Sequence, residues 1–311
     1  MLSVLNVVAP VFALIALGYT AVRLRVYPRE GVGGLISFVN TFAAPTLLFR
    51  AMLTVDFGAA FNPAIIGPFY LGAVLMMVFG SLAARKFFGR SPGESVAVGF
   101  AAMFTNTVLV GLPIMQRAYG EEAMPVVYSI IGLHAPLLMT GGMLYMELAR
   151  RDGGKLSTAL LQGVRSAVTN PLLIGIALGV TGNLLGIRLT GVLEDTTLLL
   201  ASSVMPVALF GLGGALNDYK LAENLSQAAI MSGLKLIAHP LIAWIVMVPI
   251  LRVDPHIARY GVLLAGMPTG INAYIFATYY NRSIDVATNT ILFSTVASII
   301  TISAWLLVLG P

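Results

Sequence analysis

The sequence contains no cysteine and very little charge, with Asp, Glu, Lys and Arg making 10% of its 311 residues. The missing cysteines exclude disulfides, thiolate chemistry and Cys-ligated metals. A soluble domain carries about 25% charged residues, so so sparse a supply leaves almost no room for one. Carboxylates are absent from the middle of every long apolar segment; each stands at a segment end or in a loop. That disfavours paired-carboxylate hydrolysis and carboxylate-rich metal sites. It also argues against cation–proton exchange, which trades a proton for a metal on an intramembrane carboxylate. His134, His239 and His256 are scattered without metal-ligand spacing, and no serine stands in a Gly-x-Ser-x-Gly setting. No catalytic residue, cofactor or metal site is expected, and the chain is not read as an enzyme. The opening Met1-Leu-Ser-Val-Leu-Asn lacks the positive region of a cleaved signal peptide, so the first apolar segment is expected to be retained.

What remains is apolar. Hydrophobic residues make 58% of the chain and the mean hydropathy is +0.91. Runs of about 20 apolar residues recur throughout, each long enough to cross a bilayer core. The reading is an all-α polytopic membrane protein with ten spans: 2–23, 31–53, 63–84, 94–119, 123–147, 166–187, 192–216, 224–250, 257–280 and 285–309. The basic pI of about 9.6 does not point to nucleic acid, because the excess Lys and Arg sit in short connections. Loops after odd-numbered spans carry twelve of the eighteen cations, the other side five, and Lys235 lies inside span 8. This bias puts the odd loops in the cytoplasm and both termini outside.

The chain repeats itself at an offset of 161 residues. Pro10 and Pro171, Gly18 and Gly179, Pro45 and Pro206, Phe49 and Phe210, and Tyr119 and Tyr280 all obey it. Two five-span repeats follow, residues 1–150 and 166–311, joined by a cytoplasmic linker at 151–165. Five is odd, so the second repeat enters from the opposite face and the repeat is inverted.

Spans 4 and 9 carry residues that an uninterrupted membrane helix avoids. One reads Asn106-Thr-Val-Leu-Val-Gly-Leu-Pro-Ile-Met115, the other Gly266-Met-Pro-Thr-Gly-Ile-Asn-Ala-Tyr-Ile275. Pro113 and Pro268 lack a backbone donor and crowd the preceding turn; Gly266 and Gly270 loosen the backbone. Broken helices survive in hydrocarbon only inside protein or beside water. A matched pair of breaks is the best sequence pointer to a transport site, although a single proline would read more simply as a kink. The second half of a broken helix starts with unpaired N–H groups and a partial positive charge of about +0.5, which suits a carboxylate. The expected cradle comprises Asn106, Thr107, Gly111, Leu112, Pro113, Pro268, Thr269, Gly270, Ile271 and Asn272. Asn170, just before Pro171, either caps span 6 or lines the cavity entrance. Lys235 and His239 are four apart and share a helix face; they are candidates for coupling to a proton or for positive potential, against a snorkelling reading for Lys235. His134 is expected to donate to a neighbouring helix carbonyl.

The span 4 string resembles the Asn-Thr-x-x-x-Gly-x-Pro crossover motif of the auxin efflux carrier family, which includes plant exporters and bacterial carriers linked to malate or malonate. Met267-Pro-Thr-Gly-Ile-Asn-Ala-Tyr-Ile-Phe-Ala277 resembles that family's span 9, and Asn170-Pro171 its span 6 entry. The resemblance runs over the full chain. It implies a scaffold domain, a transport domain with crossed helices 4 and 9, elevator-type alternating access, an inner-membrane location and commonly a homodimer. By position it implies that Asn106 contacts a substrate carboxylate, with Asn170 nearby. Plant exporters carry a proline where this chain has Ala273, so span 9 contacts are expected to differ. The expected cargo is a small organic anion, a mono- or dicarboxylate. A sodium-coupled symporter of the bile-acid type is the alternative within transport; a non-transporting receptor or sensor on the same fold is the alternative outside it.

Overall fold

The computed structural model describes residues 2–55, 61–150, 160, 161, 164, 165, 168–218 and 223–310. The expected linker at 151–165 lies outside the described residues except for those four of its positions or neighbours that fall at 160, 161, 164 and 165. Among the described residues every regular element is helical, and β pairing is confined to one isolated bridge. In chain order the α-helices are α1 Leu2–Arg23, α2 Arg29–Phe38, α3 Ala44–Thr54, α4 Pro63–Phe88, α5 Pro92–Met103, α6 Leu112–Tyr119, α7 Met124–Arg150 and α8 Pro171–Leu184. They continue with α9 Gly191–Ser202, α10 Val204–Ala215, α11 Leu225–Gly233, α12 His239–Ile245, α13 Pro255–Ala265, α14 Asn272–Tyr280 and α15 Ile284–Leu309.

Seven helical stretches among the described residues are long and apolar enough to cross a bilayer, where the sequence reading has ten spans. The expected spans 4, 6 and 9 coincide with shorter helices. Spans 4 and 9 are each split, so α5, α13 and α14 are individually too short, and α8 covers only 14 residues.

Three π-turns follow one rule. Val39–Ala43, Thr107–Gly111 and Leu234–Ala238 each end two residues before a proline, namely Pro45, Pro113 and Pro240. A proline ring crowds the carbonyl four residues back. Widening the turn relieves that crowding: the residue before each proline, Ala44, Leu112 or His239, bonds five residues back to Val39, Thr107 or Leu234. The helix therefore continues through each proline with a bulge.

The helices pack as two groups. In one, α1 and α2 lie on α10, and α3 lies on α8 and α9. Glycines let these backbones touch. A side chain at Gly18 of α1 would strike the carbonyl of Phe210, and one at Gly179 of α8 would strike the carbonyl of Phe49. Under the 161-residue offset these two contacts exchange with each other. In the second group α4, α5 and α7 pack with α11 to α15. There Gly99 of α5 accommodates Ser81 and Met77 of α4. Arg117 at the end of α6 ties the groups together, donating to the carbonyls of Asn6 and Val7 at 2.6 and 3.1 Å.

Candidate functional site

The two broken spans meet back to back. After α5 the chain turns extended over Phe104–Asn106, and after α13 it does so around Thr269. Thr105 and Thr269 form the antiparallel bridge. Asn106 donates its N–H to the Pro268 carbonyl at 2.8 Å, and Gly270 donates to the Phe104 carbonyl at 2.9 Å. Each break thus supplies the backbone partners that the other has lost, the condition for non-helical backbone at membrane depth. Gly270 is needed here because a Cβ would lie 3.0 Å from the Phe104 ring and 3.1 Å from the Thr105 carbonyl oxygen. Thr269 is wholly buried and satisfied: its N–H donates to Ser294 Oγ and its hydroxyl to the Ala101 carbonyl.

The break in span 4 therefore lies at Phe104–Asn106, about two turns before Pro113. Pro113 follows the π-turn Thr107–Gly111, whose widening relieves the crowding by its ring, so the helix runs through it. In span 9 Pro268 lies within the break itself. Asn106 heads the second half of span 4, its Oδ1 accepting from Leu109 N–H at 3.1 Å. The second half of span 9 starts at Asn272.

A small cavity of about 70 Å³ sits against this crossing. Thr107 to Leu109 and Ile271 to Asn272 bring both half-helix N-termini to its wall, so two partial positive charges converge there. Asn106, Thr105 and Gly270 complete the crossing side, His134 and Ile131 of α7 form another, and Asn40 of the first π-turn and Leu172 of α8 close it from the other helix group. No charged side chain lines it among the described residues. Two residues that line it each hold a buried polar atom with no hydrogen-bond partner among the described residues: Asn106 Nδ2 and His134 Nδ1. The hydroxyl of Thr105 is likewise buried and unmatched.

The remaining expected residues are distributed differently. Gly111 packs against Leu264 and the Asn106 carbonyl, and Pro113 is buried in packing. Leu112 faces a separate cleft of about 590 Å³, shared with Arg50, Gln116, Glu121, Tyr128 and Met205, at the end of the molecule that holds Glu121. Asn170 caps α8, accepting from Leu172 N–H at 2.9 Å, and Leu172 rather than Asn170 lines the cavity. Lys235 and His239 are fully buried but stand away from the cavity wall. Lys235 Nζ donates to the Ala265 carbonyl at 2.7 Å and lies 2.8 Å from His239 Nδ1, while His239 Nε2 lies 2.9 Å from the Phe69 carbonyl. The lysine thereby fills the carbonyl end of α13, where the helix dipole favours a cation. Gly72 makes room for the imidazole, since a Cβ there would lie 2.6 Å from His239 Cδ2.

His134 does not donate to a helix carbonyl as the sequence suggested. Its Nε2 accepts the N–H of Thr105 at 3.1 Å. The sequence reading also passed over Asn40. Its one local signal was Pro45, whose crowding creates the π-turn that carries it.

The membrane transport protein family model matches residues 3–306. A protein of Rhizobium meliloti (strain 1021) named "Putative malonate transporter" is 26% identical over 310 residues, covering 98% of this chain and 96% of its own. Auxin efflux carrier component 8 of Arabidopsis thaliana is 22% identical over 355 residues, covering 97% and 96%. The lysosomal cholesterol signaling protein of Mus musculus is 25% identical over 324 residues, which span 95% of this chain but 36% of that protein.

Proposed function

Because the chain belongs to the membrane transport protein family, the auxin efflux carrier family of its relatives, we propose that it carries a small organic anion through the crossing of spans 4 and 9. It is an integral membrane transporter and not an enzyme. The observation that carries the proposal is the convergence of both half-helix N-termini on one small cavity lined by Asn106, whose buried Nδ2 has no partner among the described residues. An unpartnered buried donor costs about 1–3 kcal/mol, and a carboxylate supplies its acceptor while meeting the positive helix ends. The names of the relatives suggest malonate or auxin as model cargo.

In the same reading, ten spans form two inverted repeats. The group of α1, α2, α3, α8, α9 and α10 is the scaffold; the group around the crossing is the moving transport domain. The exchanged contacts of Gly18 with Phe210 and Gly179 with Phe49 support the repeat. The 590 Å³ cleft between α3, α9 and α10 on one side and α6 and α7 on the other fits an outward-open stage of an elevator cycle in an inner membrane, with both termini outside. Sodium symport is less favoured, because Lys235 already occupies the carbonyl end of α13. A sensor role has one point in its favour, the mouse signaling relative; its mark would be ligand binding without counterflow.

Thermal-shift screening of purified protein tests the anion reading. Ligand that binds the folded state raises its stability by RT ln(1 + [L]/Kd). Malonate or indole-3-acetate is expected to raise the Tm of the wild type, without sodium, and not that of Asn106→Ala. Stabilisation by cations or neutral solutes, with no response to any carboxylate, would overturn it.

A further inference from the structure

We propose that His134 is a second substrate ligand, donating from Nδ1–H to the carboxylate opposite Asn106. The inference rests on the anion reading of the crossing and adds a residue that sequence analysis assigned elsewhere.

The protonation of the ring follows from its one partner. Thr105 N–H is a donor and can be nothing else, and it points at His134 Nε2 at 3.1 Å. That nitrogen must therefore offer a lone pair, so the ring proton sits on Nδ1. An imidazolium would set two N–H groups against each other, so the bond to Thr105 holds the ring in the neutral Nδ1–H form. The ring is fixed in place as well. Phe104 meets it edge-on with centroids 4.6 Å apart, Phe69 lies at 5.7 Å and Tyr70 at 6.1 Å. Tyr70 directs its own hydroxyl to the Ile130 carbonyl at 2.8 Å and is not a partner for the imidazole.

His134 is only 2% exposed, yet Nδ1–H finds no acceptor among the described residues. The same holds for Asn106, at 5% exposure, whose Oδ1 is committed to Leu109 N–H so that only the Nδ2 donor is left over. Both residues line the 70 Å³ cavity. That volume corresponds to roughly five water-sized spheres, room for the three heavy atoms of a carboxylate head. Two leftover donors on residues that line opposite sides of one cavity select an acceptor. They favour an anion's oxygens and offer nothing to a sodium ion, which needs lone pairs. Because neither donor is charged, the discrimination is by hydrogen bonding and by the helix ends and not by a fixed cation.

Two substitutions separate this role from a structural one. His134→Gln places an amide oxygen near the Nε2 position, retaining the acceptor for Thr105 while removing the Nδ1 donor. His134→Asn keeps a donor near Nδ1 and deprives Thr105 of its acceptor. The probes are malonate and indole-3-acetate, titrated into purified protein, with Asn106→Ala as the control for the cradle. For the probe that binds the wild type, we expect His134→Gln to weaken binding at least tenfold with an unchanged unliganded Tm. His134→Asn is expected to lower the Tm while keeping affinity within about threefold. Solid-state NMR of protein labelled with 15N-histidine reads the tautomer without any variant: one ring protonated at Nδ1 alone is expected, and its Nδ1 signal moves on probe binding. If Asn106→Ala abolishes binding but His134→Gln does not, the cradle stands and the role of His134 is refuted. A proton found on Nε2 refutes it too, even if both variants misfold. If no carboxylate binds the wild type, the anion reading fails and this inference falls with it.

Discussion

Asn106 does two jobs with the two ends of one amide. Its Oδ1 caps the second half of span 4 and its Nδ2 is buried with no partner among the described residues. Asp caps a helix as well as Asn does, so Asn106→Asp separates the jobs. The variant is expected to keep the wild-type Tm and lose carboxylate binding, because its second oxygen repels the anion; retained affinity in a binding titration would refute the donor assignment. Asn106→Ala loses both, costing about 1 kcal/mol of stability for the cap and about 10- to 100-fold in affinity for a hydrogen bond to a charged group. Lys235 makes the contrasting case. Its ammonium joins α13, through the Ala265 carbonyl, to His239 and thence to Phe69 of α4. Lys235→Met is expected to lower stability by about 1–3 kcal/mol, the cost of leaving a buried acceptor unmatched. Its ligand affinity should stay within about threefold, because the side chain does not reach the cavity. A selective loss of affinity with unchanged Tm would restore the electrostatic role suggested by the sequence.

At the scale of elements, the breaks are made by pairing between spans as much as by proline. Pro113 follows a π-turn and opens α6, whereas the extended residues Phe104–Asn106 are held by Pro268 and Gly270. Pro113→Ala is therefore expected to change the Tm and affinity little. Gly270→Ala, which forces a Cβ against Phe104 and the Thr105 carbonyl, is expected to lower both; the opposite ranking in a thermal melt would show that proline makes the break. This also explains what the sequence could and could not reveal. Pro113, Pro268 and the flanking glycines and asparagines locate both breaks to within about two turns, since proline and glycine act on their own backbone. The true position in span 4 depends on partners more than 160 residues away, and no local residue announces it. His134 was misread for the same reason: an ordinary helix position gains its role only because Thr105, on another span, supplies the N–H. Asn170, which the sequence leaves open between a cap and a cavity-lining residue, caps α8 through Leu172, a partner only two residues along.

At the scale of the molecule, the crossing belongs to a group of helices tied to the other group by Arg117, which bonds to Asn6 and Val7. The cavity is walled by both groups, with Asn40 and Leu172 on the side of α2, α3 and α8, so the relative movement proposed for the groups would open or seal it. The chain has no native cysteine, which makes orientation easy to test. A cysteine at Glu121 or Gly310 should react with an impermeant maleimide from outside, and one at Gly89 only from inside; the reverse pattern would invert the proposed topology. The most direct test of the account is an experimental structure with a carboxylate bound. Ligand oxygens are expected within hydrogen-bond reach of Asn106 Nδ2 and His134 Nδ1, between the helix starts at Thr107 and Asn272. A carboxylate held instead by Arg50 in the 590 Å³ cleft, with the crossing cavity empty, would contradict it.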